Sequence, residues 1–315
     1  MSELCNVKCN LCGANDYLRL PVKNIRANTH KKIKLVICNN CGLLYLNPRW
    51  TNARYVQFYQ KEYRDLVGIP IDVLHQRELL QQMQLRGSRC LSFCHEFIGP
   101  NSKVLEVGCS NGGILRAFQF AGYKKLFGVE PNVAESQFAR DNLGLRVVTG
   151  MLEDANFEPE SFDLILIVAS IDHFQDPLNY LQQMHKLSLP GGYLFVDAYD
   201  TLQLLKIGRL FVKMDHCYYF TAATLNRLLA KAGWETIKFE RVPKFAPPQS
   251  LHGSPLNNFN VGIRFLLRKA ESKIPVLTPN GEEIVRKVLF YTKRNNSAFT
   301  RLFRKLLYRA RRFYA

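Results

Sequence analysis

Between residues 104 and 196 short apolar runs alternate with segments whose apolar residues recur at helical spacing. The run Leu164-Ile165-Leu166-Ile167-Val168 is the clearest, with no polar residue in five positions. A strand with one wet face alternates polar and apolar residues, whereas a strand buried on both faces is apolar throughout. Such runs therefore predict parallel strands covered by helices on both sides. The pattern predicts strands at 104–107, 126–129, 146–149, 164–168 and 193–196, and helices at about 113–121, 133–142 and 177–187. Pro190-Gly191-Gly192 predicts a turn before the fifth strand. A helix at about 222–231, Gly233 and a strand at about 236–240 follow, then a Pro-rich loop at 243–255 and a strand at 261–267. The fold class is α/β: a mostly parallel seven-stranded sheet flanked by helices.

Upstream the pattern changes. From 56 to 97 the residues Leu74, Leu79, Leu80, Met83, Leu91 and Phe97 recur at roughly helical spacing and predict linking helices. Residues 1–48 hold two cysteine pairs and a strand-like run, Lys34-Leu35-Val36-Ile37. A length of 315 residues accommodates one large α/β core plus a small appendage. The expected division is a metal-binding module at 1–50, a helical linker at 51–98, the α/β domain at 99–270 and a basic extension at 271–315.

With 47% hydrophobic and 22% charged residues the chain can bury a substantial core. No apolar run reaches the roughly 20 residues that cross a bilayer, and the start lacks a basic stretch followed by an apolar one. The expectation is a protein that stays in a reducing cytoplasm. The net charge of +17 is uneven, with eight Lys or Arg and no acid from 290 to 315. Within 298–315, Phe299, Leu302, Phe303, Leu306 and Phe313 share helical spacing with six cations. That pattern suits a peripheral helix on an anionic membrane surface, at the inner face. Packing on the chain's own core and RNA binding are the competing readings.

Cys9-x2-Cys12 and Cys38-x2-Cys41 supply two pairs of thiols separated by 25 residues. Four thiolates complete a tetrahedral zinc shell and leave no open position, which makes the expected site structural. Gly13 and Gly42 follow the pairs and suit tight turns. Cys5 is a competing ligand, and Cys90 and Cys94 read as core or surface thiols.

The strand at 104–107 breaks into Gly108-Cys109-Ser110-Asn111-Gly112-Gly113, a turn that lets backbone approach a nucleotide at the carboxyl edge of a sheet. Glu130 ends the next strand, where a carboxylate can accept from both ribose hydroxyls. Residues 104–113, with Glu106 ahead of the turn, resemble motif I of class I S-adenosylmethionine methyltransferases. Phe127-Gly128-Val129-Glu130-Pro131, Ser161-Phe162-Asp163-Leu164-Ile165 and Leu189-Pro190-Gly191-Gly192-Tyr193-Leu194 resemble later motifs of the same family, in order. The resemblance spans roughly 100–240 and implies a Rossmann-like fold with S-adenosylmethionine as cofactor. It implies Glu106 near the methionine end and Gly108, Cys109, Ser110 and Gly112 in the turn. Glu130 is the implied ribose ligand, Leu152 and Glu153 stand near adenine, and Ser170 follows the fourth strand. Ser110 departs from the family, which has glycine there.

Methyl transfer to oxygen calls for a base, and histidine titrates in the useful range. His173 follows the fourth strand, whose carboxyl edge faces the methyl group in this fold. His216, with Asp215 beside it, resembles an acid-histidine element that supplies the base in sugar C-methyltransferases. The sequence places His216 ahead of His173. Residues 38–49 are similar to the end of a zinc-binding segment in a subset of these enzymes, many of which decorate sugars. Lys213 departs from the C-methyltransferase pattern, and their long C-terminal domain is missing from these residues. The expected function is methylation of a hydroxyl on a saccharide or saccharide-linked acceptor. An RNA-directed methyltransferase or RNA-binding module, a sugar C-methyltransferase and a non-catalytic scaffold are the alternatives. No Asn/Asp-Pro-Pro-Tyr/Phe run follows the fourth strand, which removes the adenine N6 reading.

Overall fold

The computed structural model of the chain describes residues 3–22, 33–63, 73–243, 260–270 and 281–296. The amphipathic segment read at 298–315, and the Pro-rich loop beyond Pro243, lie outside the described residues. In chain order the amino-terminal elements are β1 (Leu4–Cys5), β2 (Tyr17–Arg19), β3 (Leu35–Cys38), β4 (Leu44–Leu46), β5 (Arg49–Trp50), α1 (Asn52–Lys61) and α2 (Val73–Cys94). Then come β6 (Lys103–Val107), α3 (Gly113–Phe120), β7 (Lys125–Glu130), α4 (Val133–Leu143), β8 (Arg146–Thr149) and β9 (Phe162–Val168). After them follow α5 (Pro177–Leu187), β10 (Ser188–Tyr199), α6 (Thr201–Lys206), β11 (Tyr218–Tyr219), α7 (Ala222–Lys231), β12 (Trp234–Val242), β13 (Gly262–Lys269) and α8 (Gly281–Asn296).

Seven strands form one sheet in the order β12-β13-β10-β9-β6-β7-β8. The β6–β7, β7–β8, β6–β9 and β9–β10 pairs are parallel, while β13 runs antiparallel to both its neighbours. This is the predicted Rossmann-like sheet. The chain order reverses direction at β6, where outward growth to β7 and β8 gives way to growth through β9. Such a switch point opens a crevice at the carboxyl ends of the strands. In register, Glu106 faces Gly128 and Val107 faces Val129, so the turn after β6 and Glu130 meet at that edge.

Local chemistry sets the helix ends. Asn132 caps α4 by accepting from the Glu135 amide at 3.1 Å, and Gly144 ends it in the left-handed conformation. Asp176 caps α5, with Pro177 in the first turn where its missing N–H costs nothing. Thr221 and Thr224 form a reciprocal cap on α7.

Strand β10 is longer than predicted. Pro190-Gly191-Gly192, read as a turn, is an irregularity inside it, between the Ser188 and Tyr193 pairings with β9. Helices α6 and α8 were not anticipated. The four-stranded sheet β11-β4-β3-β2 takes three strands from the cysteine-bearing segment and one from residues 218–219. One hydrophobic core is continuous from Cys38, Leu44 and Tyr45 to Ile165, Leu194 and Trp234. A second, containing Phe118, Leu166 and Phe195, lies on the other sheet face, and Cys90 and Cys94 are buried in it.

Candidate active site

A cavity of about 250 Å³ opens at the carboxyl edge, lined by Gly108, Ser110, Glu130, Leu152, Ser170 and His173 together with Tyr59, Tyr63, Met83, Arg86, Phe174 and Tyr180. Its floor is the turn after β6. Gly108 and Gly112 have φ of +79° and +78°, and Ser110 adopts φ +49° between them. That conformation costs a side chain with Cβ about 1–2 kcal/mol, so Ser110 performs the backbone role of the glycine it replaces. The Gly108 and Cys109 amides bond the Val129 carbonyl at 2.8 and 3.1 Å, pinning the turn to β7.

Glu130 accepts from the Ser110 amide at 2.9 Å through Oε2 and from the Asn132 amide at 2.8 Å through Oε1. A carboxylate oxygen has two lone pairs and can accept from a ribose hydroxyl as well as from an amide. Glu106, 1% exposed, has an Oε2 with no hydrogen-bond partner among the described residues. Burial pushes its carboxyl well above the usual range against the pull of Arg86, with Glu130 adding to the rise. A buried acceptor left open this way fits an incoming ammonium group, such as that of the methionine moiety. The donors and acceptors present thus fit S-adenosylmethionine: Glu106 for the amine, Glu130 for the ribose, and Gly108 and Ser110 as close backbone.

Glu106, Cys109, Gly112 and Glu153 are not among the residues that line the cavity. The Cys109 thiol points into the core, where a Cβ on Gly128 would meet Sγ at 2.6 Å. Gly112 is needed for packing, since a Cβ there would meet Leu145 at 2.6 Å and Ala139 at 3.0 Å. Glu153 is exposed, and its carboxylate accepts from Gln183 at 3.5 Å. Ser170 does line the cavity, and its hydroxyl bonds the Val107 carbonyl at 3.1 Å.

His173, His216 and Asp215 come together, with Asp172 as a fourth member. The two imidazole centroids are 4.5 Å apart. His216 Nδ1 lies 2.9 Å from Asp172 Oδ2, whereas Asp215 Oδ2 is 3.8 Å from a ring nitrogen of each histidine. The close carboxylate of His216 is therefore Asp172, from the other segment, rather than its neighbour in sequence. Only His173 of the pair lines the cavity.

Tyr59 defines the His173 tautomer. Its hydroxyl donates its single proton to the Asp215 carbonyl at 2.8 Å, so at 2.9 Å from His173 Nδ1 it must accept. Nδ1 then carries the proton and Nε2 the free lone pair. Burial depresses the His173 pKa, aided by His216 and Lys213 and opposed by Asp172 and Asp215, which favours the neutral ring. Burial disfavours ionisation of Asp172 and Asp215, yet the two histidines, with backbone hydrogen bonds and, for Asp215, Lys213, outweigh it and lower both carboxyls. A neutral imidazole beside ionised carboxylates, with a lone pair to spare, can remove a proton.

Tyr59 and Arg86 were not singled out in the sequence. Tyr55, Tyr59 and Tyr63 repeat every four residues, which marks one face of a helix, and this was the available signal. Arg86 donates to Asp197 at 2.5 Å, and Arg264 holds the other oxygen of that carboxylate at 3.0 Å. Nothing local in the sequence announces that pairing across 111 positions.

The four cysteines form a separate cluster, with all sulfurs within 4.8 Å of one another. Cys9 and Cys41 are 3.4 Å apart and Cys12 and Cys38 are 3.5 Å apart, too far for disulfides of about 2.05 Å. Tetrahedral zinc with bonds of about 2.3 Å sets sulfurs about 3.8 Å apart, so this donor set fits zinc. Cys5 lies outside the cluster, with its thiol on the Trp50 carbonyl at 3.6 Å.

The profile of a family described as "Methyltransferase domain" matches residues 73–238, just over half of the chain. The chain belongs to this methyltransferase family. Among curated relatives, a ubiquinone biosynthesis O-methyltransferase of Bartonella tribocorum is 27% identical over 132 residues, covering 39% of this chain and 53% of that protein. A tRNA U34 carboxymethyltransferase of Dichelobacter nodosus is 31% identical over 109 residues, covering 32% and 34%. The chain thus spans about half or less of the relatives it matches. Among solved structures, a SAM-dependent methyltransferase of Leishmania major aligns at 16% identity with a TM-score of 0.49, covering 69% of this chain and 82% of that one. The matched methyltransferase region includes the turn, Glu130 and both histidines. It excludes the four cysteines and Tyr59. No helix among the described residues is long and apolar enough to cross a membrane.

Proposed function

We propose that the chain transfers the methyl group of S-adenosylmethionine to a hydroxyl of a saccharide or saccharide-linked acceptor, with zinc held by the four cysteines. The observation that carries the catalytic part is the shared cavity. The glycine turn and Glu130 line it on the cofactor side, and His173 lines it with a free Nε2. When bound, S-adenosylmethionine supplies an electrophilic methyl group. His173 takes the acceptor proton at Nε2, Tyr59 fixes its tautomer, and the aromatic wall of Tyr59, Tyr63, Phe174 and Tyr180 limits water. The saccharide acceptor rests on the resemblance of 38–49 and of the Asp215-His216 element to sugar-modifying enzymes. Strand pairing between β4 and β11 brings those two segments together in space.

The charge of +17 and the relative named for tRNA favour RNA as the second reading. Labelled-methyl transfer to a panel of nucleotide sugars, glycans and tRNA separates them. A saccharide product with a new O-methyl group is expected. Label in tRNA overturns the acceptor assignment, label on a sugar carbon marks C-methylation, and bound cofactor with no transfer to any acceptor marks a scaffold. The basic segment 298–315 is proposed to dock on anionic membrane, which cosedimentation with phosphatidylglycerol vesicles and its loss above about 0.5 M salt would report.

The ribose assignment gives a quantitative expectation. Glu130→Ala removes a charged acceptor and releases the Ser110 and Asn132 amides. Binding of S-adenosylmethionine should weaken by about 1.5–3 kcal/mol, the range for hydrogen bonds to charged groups. Calorimetry returning the parental dissociation constant removes Glu130 from the site.

A further inference from the structure

Both segments that carry the histidines are fastened to the cysteine-bearing module. Asn10 sits inside the Cys9–Cys12 knuckle and grips the start of α5 with both ends of its amide. Its Nδ2 donates to Asp176 Oδ1 at 2.7 Å, and its Oδ1 accepts from the Leu178 amide at 2.9 Å. Arg49, just beyond β4, donates through Nη2 to the Gln175 carbonyl at 2.5 Å. Tyr218 donates to the same carbonyl at 3.2 Å, and the Arg49 guanidinium lies 5.1 Å from the centre of the Tyr218 ring. These grips fall on 175–178, directly after Asp172 and His173.

The other segment is held from the same side. Strand β11 pairs with β4, and the Leu46 amide bonds the Cys217 carbonyl at 3.0 Å. Arg49 is 4% exposed, yet its Nε and Nη1 find no hydrogen-bond partner among the described residues. A buried cation with two unsatisfied donors is a poor stabiliser, because its desolvation is only partly offset. Its one well-made bond goes to the backbone two residues after His173, so its worth lies in placing that backbone. The cofactor turn, by contrast, is pinned by the β7 backbone and Glu130, with no bond to the module in those contacts.

We propose that Asn10 and Arg49 are positioning residues of the methyl-transfer site, through which the cysteine module sets the Asp172–His216 and Tyr59–His173 pairs without touching cofactor binding. This rests on the reading of His173 as the base. The module is then a jig for the acceptor half of the cleft, in addition to a staple for the fold. A displacement of about 1 Å in such a pair can cost about 100-fold in rate.

The test uses the full, zinc-loaded chain and two variants, Asn10→Ala and Arg49→Met, with Arg49→Lys as the conservative partner. Zinc content and S-adenosylmethionine affinity are measured beside the side-chain NMR signals of His173 and His216. The groups facing this pair are Asp172, Asp215, Lys213, Tyr59, Tyr63 and Tyr219. Expected in Asn10→Ala and Arg49→Met are one bound zinc, a cofactor dissociation constant within about twofold of the parent, and loss of the downfield proton shared by His216 and Asp172. The His173 titration should move up toward the ordinary histidine value, and Arg49→Lys should restore part of both signals. Parental histidine signals in a zinc-loaded Asn10→Ala protein overturn the proposal, as does cofactor affinity that falls in step with them. If His173→Ala leaves methyl transfer intact, the base assignment fails while these NMR results still decide the positioning claim.

Discussion

Replacing His173 by Ala is expected to lower methyl-transfer turnover by about 10²–10⁴, the usual share of general acid-base catalysis, while S-adenosylmethionine affinity stays near parental. The cavity places His173, not His216, on its wall, and Tyr59 leaves its Nε2 with the lone pair. His216→Ala should act more weakly, through Asp172 and the edge-to-face contact of the two rings. The pH profile carries the same information with a definite sign. The active form of His173 is neutral, and its pKa is depressed below 6.5, chiefly by burial. Turnover should therefore be flat through neutrality and fall only on the acid side of that value. Loss of activity beginning above pH 7, or equal turnover in His173→Ala and the parent, would remove His173 as base. If the large effect moves to His216→Ala, the ordering read from the sequence stands and the cavity-wall argument fails.

Removal of the metal is expected to have the second large effect. One zinc per chain should be found by elemental analysis of protein purified without chelator. Cys38→Ser should lose it and destabilise the fold by on the order of 3–5 kcal/mol, seen as a fall of roughly 5–10 °C in melting temperature. The loss should stay below the roughly 10–16 kcal/mol that zinc supplies to isolated finger peptides. The difference arises because β3 and β4 share a hydrophobic core with the large sheet. Helix α8 also closes on the second knuckle, where a Cβ on Gly42 would meet Ile284 at 2.7 Å. A zinc-free preparation with the parental melting temperature would show that the cysteines are packing residues.

The strands of the large sheet were legible because burial on both faces writes itself into a contiguous apolar run. Leu164–Val168 needed no distant information, whereas Arg146–Thr149, partly exposed at the sheet edge, was legible from its place in the strand–helix alternation. The switch point was legible for a similar reason: Gly108, Gly112 and Glu130 sit at strand ends, where backbone demands are local. What the sequence hid is long-range pairing. Nothing near Tyr218 says that it extends the sheet of β4, and nothing near Asp172 says that its carboxylate reaches His216 rather than leaving that place to Asp215. Tyr59 was invisible as a site residue because its partner lies 114 positions away and an aromatic stripe on a helix usually means core. Cys109 illustrates the opposite error. It sits within the motif, yet the turn after β6 sends its side chain inward against Gly128, so position in a motif did not establish side-chain contact with the cavity.

The central claim is that the carboxyl-edge cavity binds S-adenosylmethionine in a geometry fit for transfer. Calorimetric titration of the full chain with S-adenosylmethionine, repeated with Glu130→Ala, tests it most directly. The account predicts one site per chain, with affinity weakened about 10-fold to 150-fold in the variant, the equivalent of about 1.5–3 kcal/mol. No saturable heat in the parent, or binding that ignores Glu130, would contradict it.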